Sequence, residues 1–164
     1  MAETTFDVRE QIAELLPRLR RFGRALARTR EDADDLVQIA IEKALVRTDQ
    51  WTPGTRLDSW MFRIMQNAWI DEVRSRQRHG ETFVAEEEAE HVGVSTADAQ
   101  IDAIAVRKAV AQLSDEHRAV VALVLVEGLS YQEAAEVLRI PVGTVTSRLA
   151  RARESLQDML EVKQ

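Results

Sequence analysis

Residues Ser130 to Arg153 read SYQEAAEVLRIPVGTVTSRLARAR, and this stretch constrains the fold more than any other. Ser130 can cap a helix, with Glu133 three residues on completing a capping box and Ala134, Ala135, Val137 and Leu138 supplying a side to bury. The Arg139-Ile140-Pro141 step then forces a turn, because proline cannot donate to a continuing helix. Beyond it Val145, Leu149, Ala152 and Leu156 return at spacings of four, three and four, leaving Thr144, Ser147, Arg148 and Arg151 together on the outer face. Two helices joined by a tight turn, one docked on the other through a buried stripe, form a helix-turn-helix. Its outer face of hydroxyls and arginines suits a major groove. Helix pairs of this shape also occur in proteins that never touch DNA, so the pattern alone leaves both readings open.

The arginines stand in a chain of 164 residues whose formal net charge is −6. That acidity is local. Residues 81 to 100, ETFVAEEEAEHVGVSTADAQ, hold six acids and no Lys or Arg, and the rest of the chain is neutral. The segment lacks helical periodicity and is rich in small and acidic residues, which predicts a flexible acidic linker at 81–100 between lobes at 1–80 and 101–164. With 45% hydrophobic and 30% charged residues, the chain can bury one modest core or two small ones. No apolar run reaches the roughly 18 residues of a membrane span, the N-terminus lacks a signal-peptide core, and there is no cysteine. A reducing cytoplasm fits this composition.

The first lobe is helical by pattern, so the fold class expected is all-α. Leu15, Leu19, Phe22 and Leu26 repeat at helical spacing behind Pro17, read as lying near a helix start. Leu36, Ile39, Ala40 and Lys43 to Leu45 continue a 3.6 period behind the acids of TREDADD, which suit a helix N-terminus. TPGT at 52–55 is a loop signal. From Leu57 to about Gln77 a long helix places Trp60, Arg63, Asn67 and Arg74 on one polar face beside an apolar arc of Met61, Ile64, Met65, Ala68 and Trp69. An indole among arginines and an amide can stack on an unpaired base while the cations hold phosphates. Equally, Trp60 can edge the core while the arginines are merely solvated.

Three ordered blocks together resemble a bacterial RNA polymerase sigma factor of the extracytoplasmic-function type, from about Arg18 to Leu156. DADDLVQIAIEKAL resembles the segment that grips the clamp helices of the polymerase largest subunit, which implies that Asp34, Asp35, Leu36 and Gln38 contact the core enzyme. LDSWMFRIMQNAWIDEVRSRQR resembles the helix that reads and melts the −10 element, implying DNA contacts at Trp60, Arg63, Asn67 and Arg74. Trp51 and the loop from Thr52 to Thr55 match the loop that captures a flipped base. The final block, from Leu113 to Leu156, resembles the domain that binds the −35 element and the flap of the second-largest subunit. The resemblance assigns −35 reading to Thr144, Thr146, Ser147, Arg148 and Arg151, with Arg153 on phosphate; Thr146 stands where relatives often carry a basic residue. It also implies an anti-sigma partner, and with Gln164 last, no C-terminal regulatory extension is expected.

No enzyme is expected. There is no phosphate-cradling glycine loop, His79, His91 and His117 lack metal-ligand spacing, and Asp34-Asp35 has no second ligand pair nearby, so neither cofactor nor metal is implied. Two rival classes remain in view. One is a free-standing helix-turn-helix regulator, the other a sigma mimic that titrates an anti-sigma factor.

Overall fold

A computed structural model describes residues 2–80 and 97–161, with side chains from residue 8 and from residue 102 in the two segments. Every regular element among the described residues is helical, as the periodicity predicts. The first lobe comprises α1 (Ala2–Leu26), α2 (Arg30–Val46), a 3₁₀ turn at Thr48–Gln50 and α3 (Leu57–Arg78). The second comprises α4 (Ala97–Ala111), α5 (Asp115–Val120) running into a π-helical turn at Val121–Val126, α6 (Tyr131–Leu138) and α7 (Val142–Glu161). Helix α4 therefore begins inside the span read as linker. Residues 81–96, which carry five of its six acids, lie outside the described residues.

In the first lobe Leu19, Phe22, Met61, Phe62 and Met65 are fully buried where α1, α2 and α3 meet. The Phe22 and Phe62 rings meet at 4.9 Å between centroids, and the Arg18 guanidinium lies over Phe62. Gly23 sets how close the helices come, because a Cβ there would stand 3.2 Å from the Ala33 carbonyl oxygen and from Val37 Cγ2. Thr29 caps α2 by accepting from the Asp32 N–H, and Glu31 and Asp32 occupy the positive end of its dipole.

Two details depart from the sequence reading. Pro17 sits in the interior of α1, because that helix starts well upstream; its exposed ring faces solvent, and no N–H is available to bond the carbonyl of Ala13. The buried stripe of α2 is Ala33, Leu36, Val37, Ala40 and Ala44, so Ile39 and Leu45 face outward.

In the second lobe the capping box forms as read, with Ser130 Oγ accepting from Glu133 N–H and Glu133 Oε1 accepting from Ser130 N–H. The turn after α6 depends on Arg139, which takes the left-handed conformation at φ 55° and ψ 47°. Ile140 N–H closes the helix end onto the Ala135 carbonyl. Pro141 then offers its carbonyl to Thr144 and Val145, and α7 begins. Val145, Leu149 and Ala152 are its buried stripe.

The lobes are not apart. Helix α5 and the π turn lie against α1, α6 lies against α3, and one continuous set of buried side chains runs through both lobes.

Candidate nucleic-acid and polymerase interfaces

Helices α1 and α2 enclose a groove of about 550 Å³ floored by Leu16, Val37 and Ile41. Arg20 and Arg24 line its α1 bank, and Asp34, Gln38 and Glu42, one helical turn apart, line the α2 bank. The floor is apolar, the α1 bank is basic, and the α2 bank sets Arg30 beside Asp34 and Glu42, so the rim offers charges of both signs to a partner helix. Of the residues read as contacting the core enzyme, Asp34, Asp35 and Gln38 are exposed, whereas Leu36 is 3% exposed. Leu36 belongs to the interior stripe, where it fixes how α2 presents its neighbours. The sequence reading missed Arg20 and Arg24, since only packing shows that α1 faces α2 across this groove.

The loop before α3 has a defined shape. Thr55 N–H bonds the Thr52 carbonyl at 3.1 Å across Pro53 and Gly54, and Gly54 has φ 91°, as a type II turn requires. Thr52 and Thr55 are exposed at its tip. Trp51 is not: at 9% exposure it anchors the root of the loop, standing behind the tip rather than on it. On α3, Arg63 and Arg74 are exposed and Asn67 is half-buried. Trp60 is also half-buried and packs against the core, so its indole offers one edge rather than a full face.

Among the described residues, the buried side-chain polar atoms without a hydrogen-bond partner are Trp51 Nε1, Ser59 Oγ and Gln66 Oε1. All three fall in the loop root and the first half of α3. An unmet buried group costs about 1–3 kcal/mol in a folded protein. Ser59 and Gln66 were not legible as site residues, because an unmet bond has no sequence signature. Arg76, by contrast, is committed to Asp32 by two hydrogen bonds of 2.6 and 2.8 Å and to Glu72. The hydrogen bond from Arg76 outweighs burial and holds the Asp32 carboxyl below its ordinary value.

On α7, Thr146, Ser147, Arg151 and Arg153 are exposed and Thr144 is half-buried. Thr146 Oγ1 donates to the Val142 carbonyl and Ser147 Oγ to that of Thr144, so both hydroxyls present lone pairs outward. Arg148 departs from the outer-face reading. Its side chain is 24% exposed and meets Glu116 of α5 at 3.5 Å, because it flanks the buried stripe rather than opposing it.

A helix-turn-helix, a second helix with a polar, arginine-bearing face and a charged groove suit a protein that binds nucleic acid together with a protein partner. Known proteins make the class specific. The family model for the Sigma2 domain of PhyR matches residues 12–66, and that for Sigma-70, region 4 matches residues 103–156. The ECF RNA polymerase sigma factor EcfG of Rhodopseudomonas palustris is 32% identical over 158 residues, covering 96% of this chain and 87% of that protein. SigM of Mycobacterium tuberculosis, also an ECF sigma factor, is 37% identical over 142 residues, covering 87% and 71%. The sigma factor RpoE of Bartonella quintana, solved in complex with the anti-sigma factor NepR, superposes with TM-score 0.85 at 30% identity, covering 96% of this chain and 99% of that one. The chain belongs to the ECF RNA polymerase sigma factors, and is a promoter-specificity subunit of that enzyme. No helix among the described residues is long and apolar enough to cross a membrane.

Proposed function

We propose that α3 with the Thr52–Thr55 turn captures and unpairs the −10 element while α7 reads the −35 element. Asn67, Thr52 and Thr55 line the site for an extruded base, with Trp60 edging it and Arg63 and Arg74 holding phosphates. Arg151 and Ser147 reach base edges in the major groove; Thr144, Thr146 and Arg148 flank them, and Arg153 takes phosphate. Asp34, Asp35 and Gln38 meet the polymerase clamp helices across the groove between α1 and α2, and the second lobe meets the flap. The chain works in the cytoplasm, catalyses no reaction itself, and is held in reserve by an anti-sigma factor, as RpoE of B. quintana is bound by NepR.

The observation that carries this reading is the polar face of α3, with Arg63 and Arg74 exposed and Trp60 and Asn67 half-buried, beside the exposed Thr52–Thr55 turn. A free-standing helix-turn-helix regulator has no use for such a site. The test is transcription by purified core enzyme on genomic fragments, with permanganate footprinting of the −10 region. Core-dependent initiation with reactive thymines supports the reading. Tight operator binding without core favours the regulator, and capture of an anti-sigma factor without initiation favours the mimic.

A further inference from the structure

We infer that Asp58 is the positioning residue of the base-capture site, fixing the Thr52–Thr55 turn through Arg56 without itself touching DNA. The inference rests on the promoter-binding reading above.

No packing holds the tip of the turn. Residues 52–56 are all exposed, and a Cβ at Gly54 would meet no atom within 4 Å. Inside the turn the Thr52 carbonyl accepts from the Thr55 N–H at 3.1 Å and from Thr55 Oγ1 at 2.6 Å. These bonds set its shape, and its two ends set its direction. Trp51 is buried at one end, with its N–H on the Thr48 carbonyl. Arg56 is the other end.

Arg56 is also the N-cap of α3, where its side chain supplies no capping bond. Asp58, two residues on and 6% exposed, meets both needs. Its Oδ1 accepts from the Ser59 N–H at 2.7 Å and from Arg56 Nε at 3.1 Å. Its Oδ2 accepts from a terminal nitrogen of Arg56 at 2.6 Å and from Arg18 of α1 at 3.0 Å. A carboxylate offers about four acceptor sites, so these donors fill it and leave nothing for nucleic acid. Arg18 is itself held, since its guanidinium lies 5.4 Å from the centre of the buried Phe62 ring. Contact therefore runs from the core between α1 and α3, through Asp58, to the first residue after the turn. A site for an extruded base binds best when it is already formed, because ordering it on arrival costs affinity.

With purified core, a labelled single-stranded −10 oligonucleotide and its base-substituted forms measure capture, and a −35 duplex measures the other lobe. Asp58→Asn and Arg56→Gln should each weaken capture by about tenfold and flatten the preference among bases, with −35 binding unchanged. Because the two side chains act as one unit, the double variant should lose little more than either alone. Glu133→Gln changes the α6 partner of Arg56 and leaves Asp58 in place, so it should capture as the parent does. Circular dichroism checks folding; if Asp58→Asn does not fold, Arg56→Gln decides. Unchanged preference in the folded variants, additive losses in the double variant, or an equal loss in Glu133→Gln overturns the positioning role. A parent that shows no preference among bases overturns the capture site itself, and the positioning role with it, before any variant is compared.

Discussion

At the scale of single residues, the charged side chains divide into those bound within the fold and those presented to a partner. Asp32 is bound, since Arg76 and the cap of α2 both use it. Asp32→Asn should therefore destabilise the chain by about 1–2 kcal/mol, seen as a lower urea midpoint at unchanged slope. Arg151 is presented. Arg151→Ala should weaken −35 recognition by about 1–3 kcal/mol if its guanidinium contacts a base, while Asn67→Ala should spare duplex binding and impair melting. Permanganate reactivity on −10 variants separates them, and unchanged opening by Asn67→Ala on every variant would remove that residue from the base site.

At the scale of elements, the helix-turn-helix hinges on one backbone conformation. Arg139 holds a left-handed φ that a side chain adopts at a cost and glycine adopts freely. Arg139→Gly should raise stability by about 0.5–1 kcal/mol without altering −35 specificity, because the turn geometry that sets α7 is already the one glycine prefers. Thermal unfolding and a promoter-binding assay check the two halves. A loss of specificity would instead show that the Arg139 side chain reaches DNA. The π turn before α6 is the corresponding device at the other end, carrying Glu127 back onto α1.

At the scale of the whole molecule, acid should loosen what charge holds together. Burial works to raise the Asp58 carboxyl, but hydrogen bonds from Arg56, the Ser59 N–H and Arg18 together hold it below its ordinary value of 3.8. Bonds from Ser130 and then Arg56 lower Glu133 below 4.5, and Arg76 lowers Asp32 below 3.8. A carboxylate depressed on folding contributes its full stability above the unfolded value and loses it as pH falls through the folded value. Stability should therefore stay level from neutrality to about pH 5 and decline below about pH 4, and Asp58→Asn should flatten that decline in urea titrations. The number of residues between Gly80 and Ala97 limits how far apart the two lobes can bind. Sixteen residues reach at most about 53 Å at roughly 3.3 Å each, so deleting ten should abolish initiation at promoters of normal spacing while both lobes stay folded. Normal transcription with unchanged spacing preference would rule out a spanning tether.

The sequence by itself determined the all-helical class, the capping box, the turn at Arg139-Ile140-Pro141 and the family, because each is written in local spacing that only a few residues must satisfy. It also named the exposed faces of α3 and α7 in outline, since a 3.6 period separates inside from outside. Tertiary structure decided what spacing cannot encode. Trp51 and Leu36 turned inward and Arg148 met Glu116 because a helix buries several arcs once it has several neighbours. The groove beside Arg20 and Arg24, and the pairing of Glu127 with Arg18 and Arg21, join residues far apart in the chain. No periodicity within one helix records which charges another helix will bring to meet it.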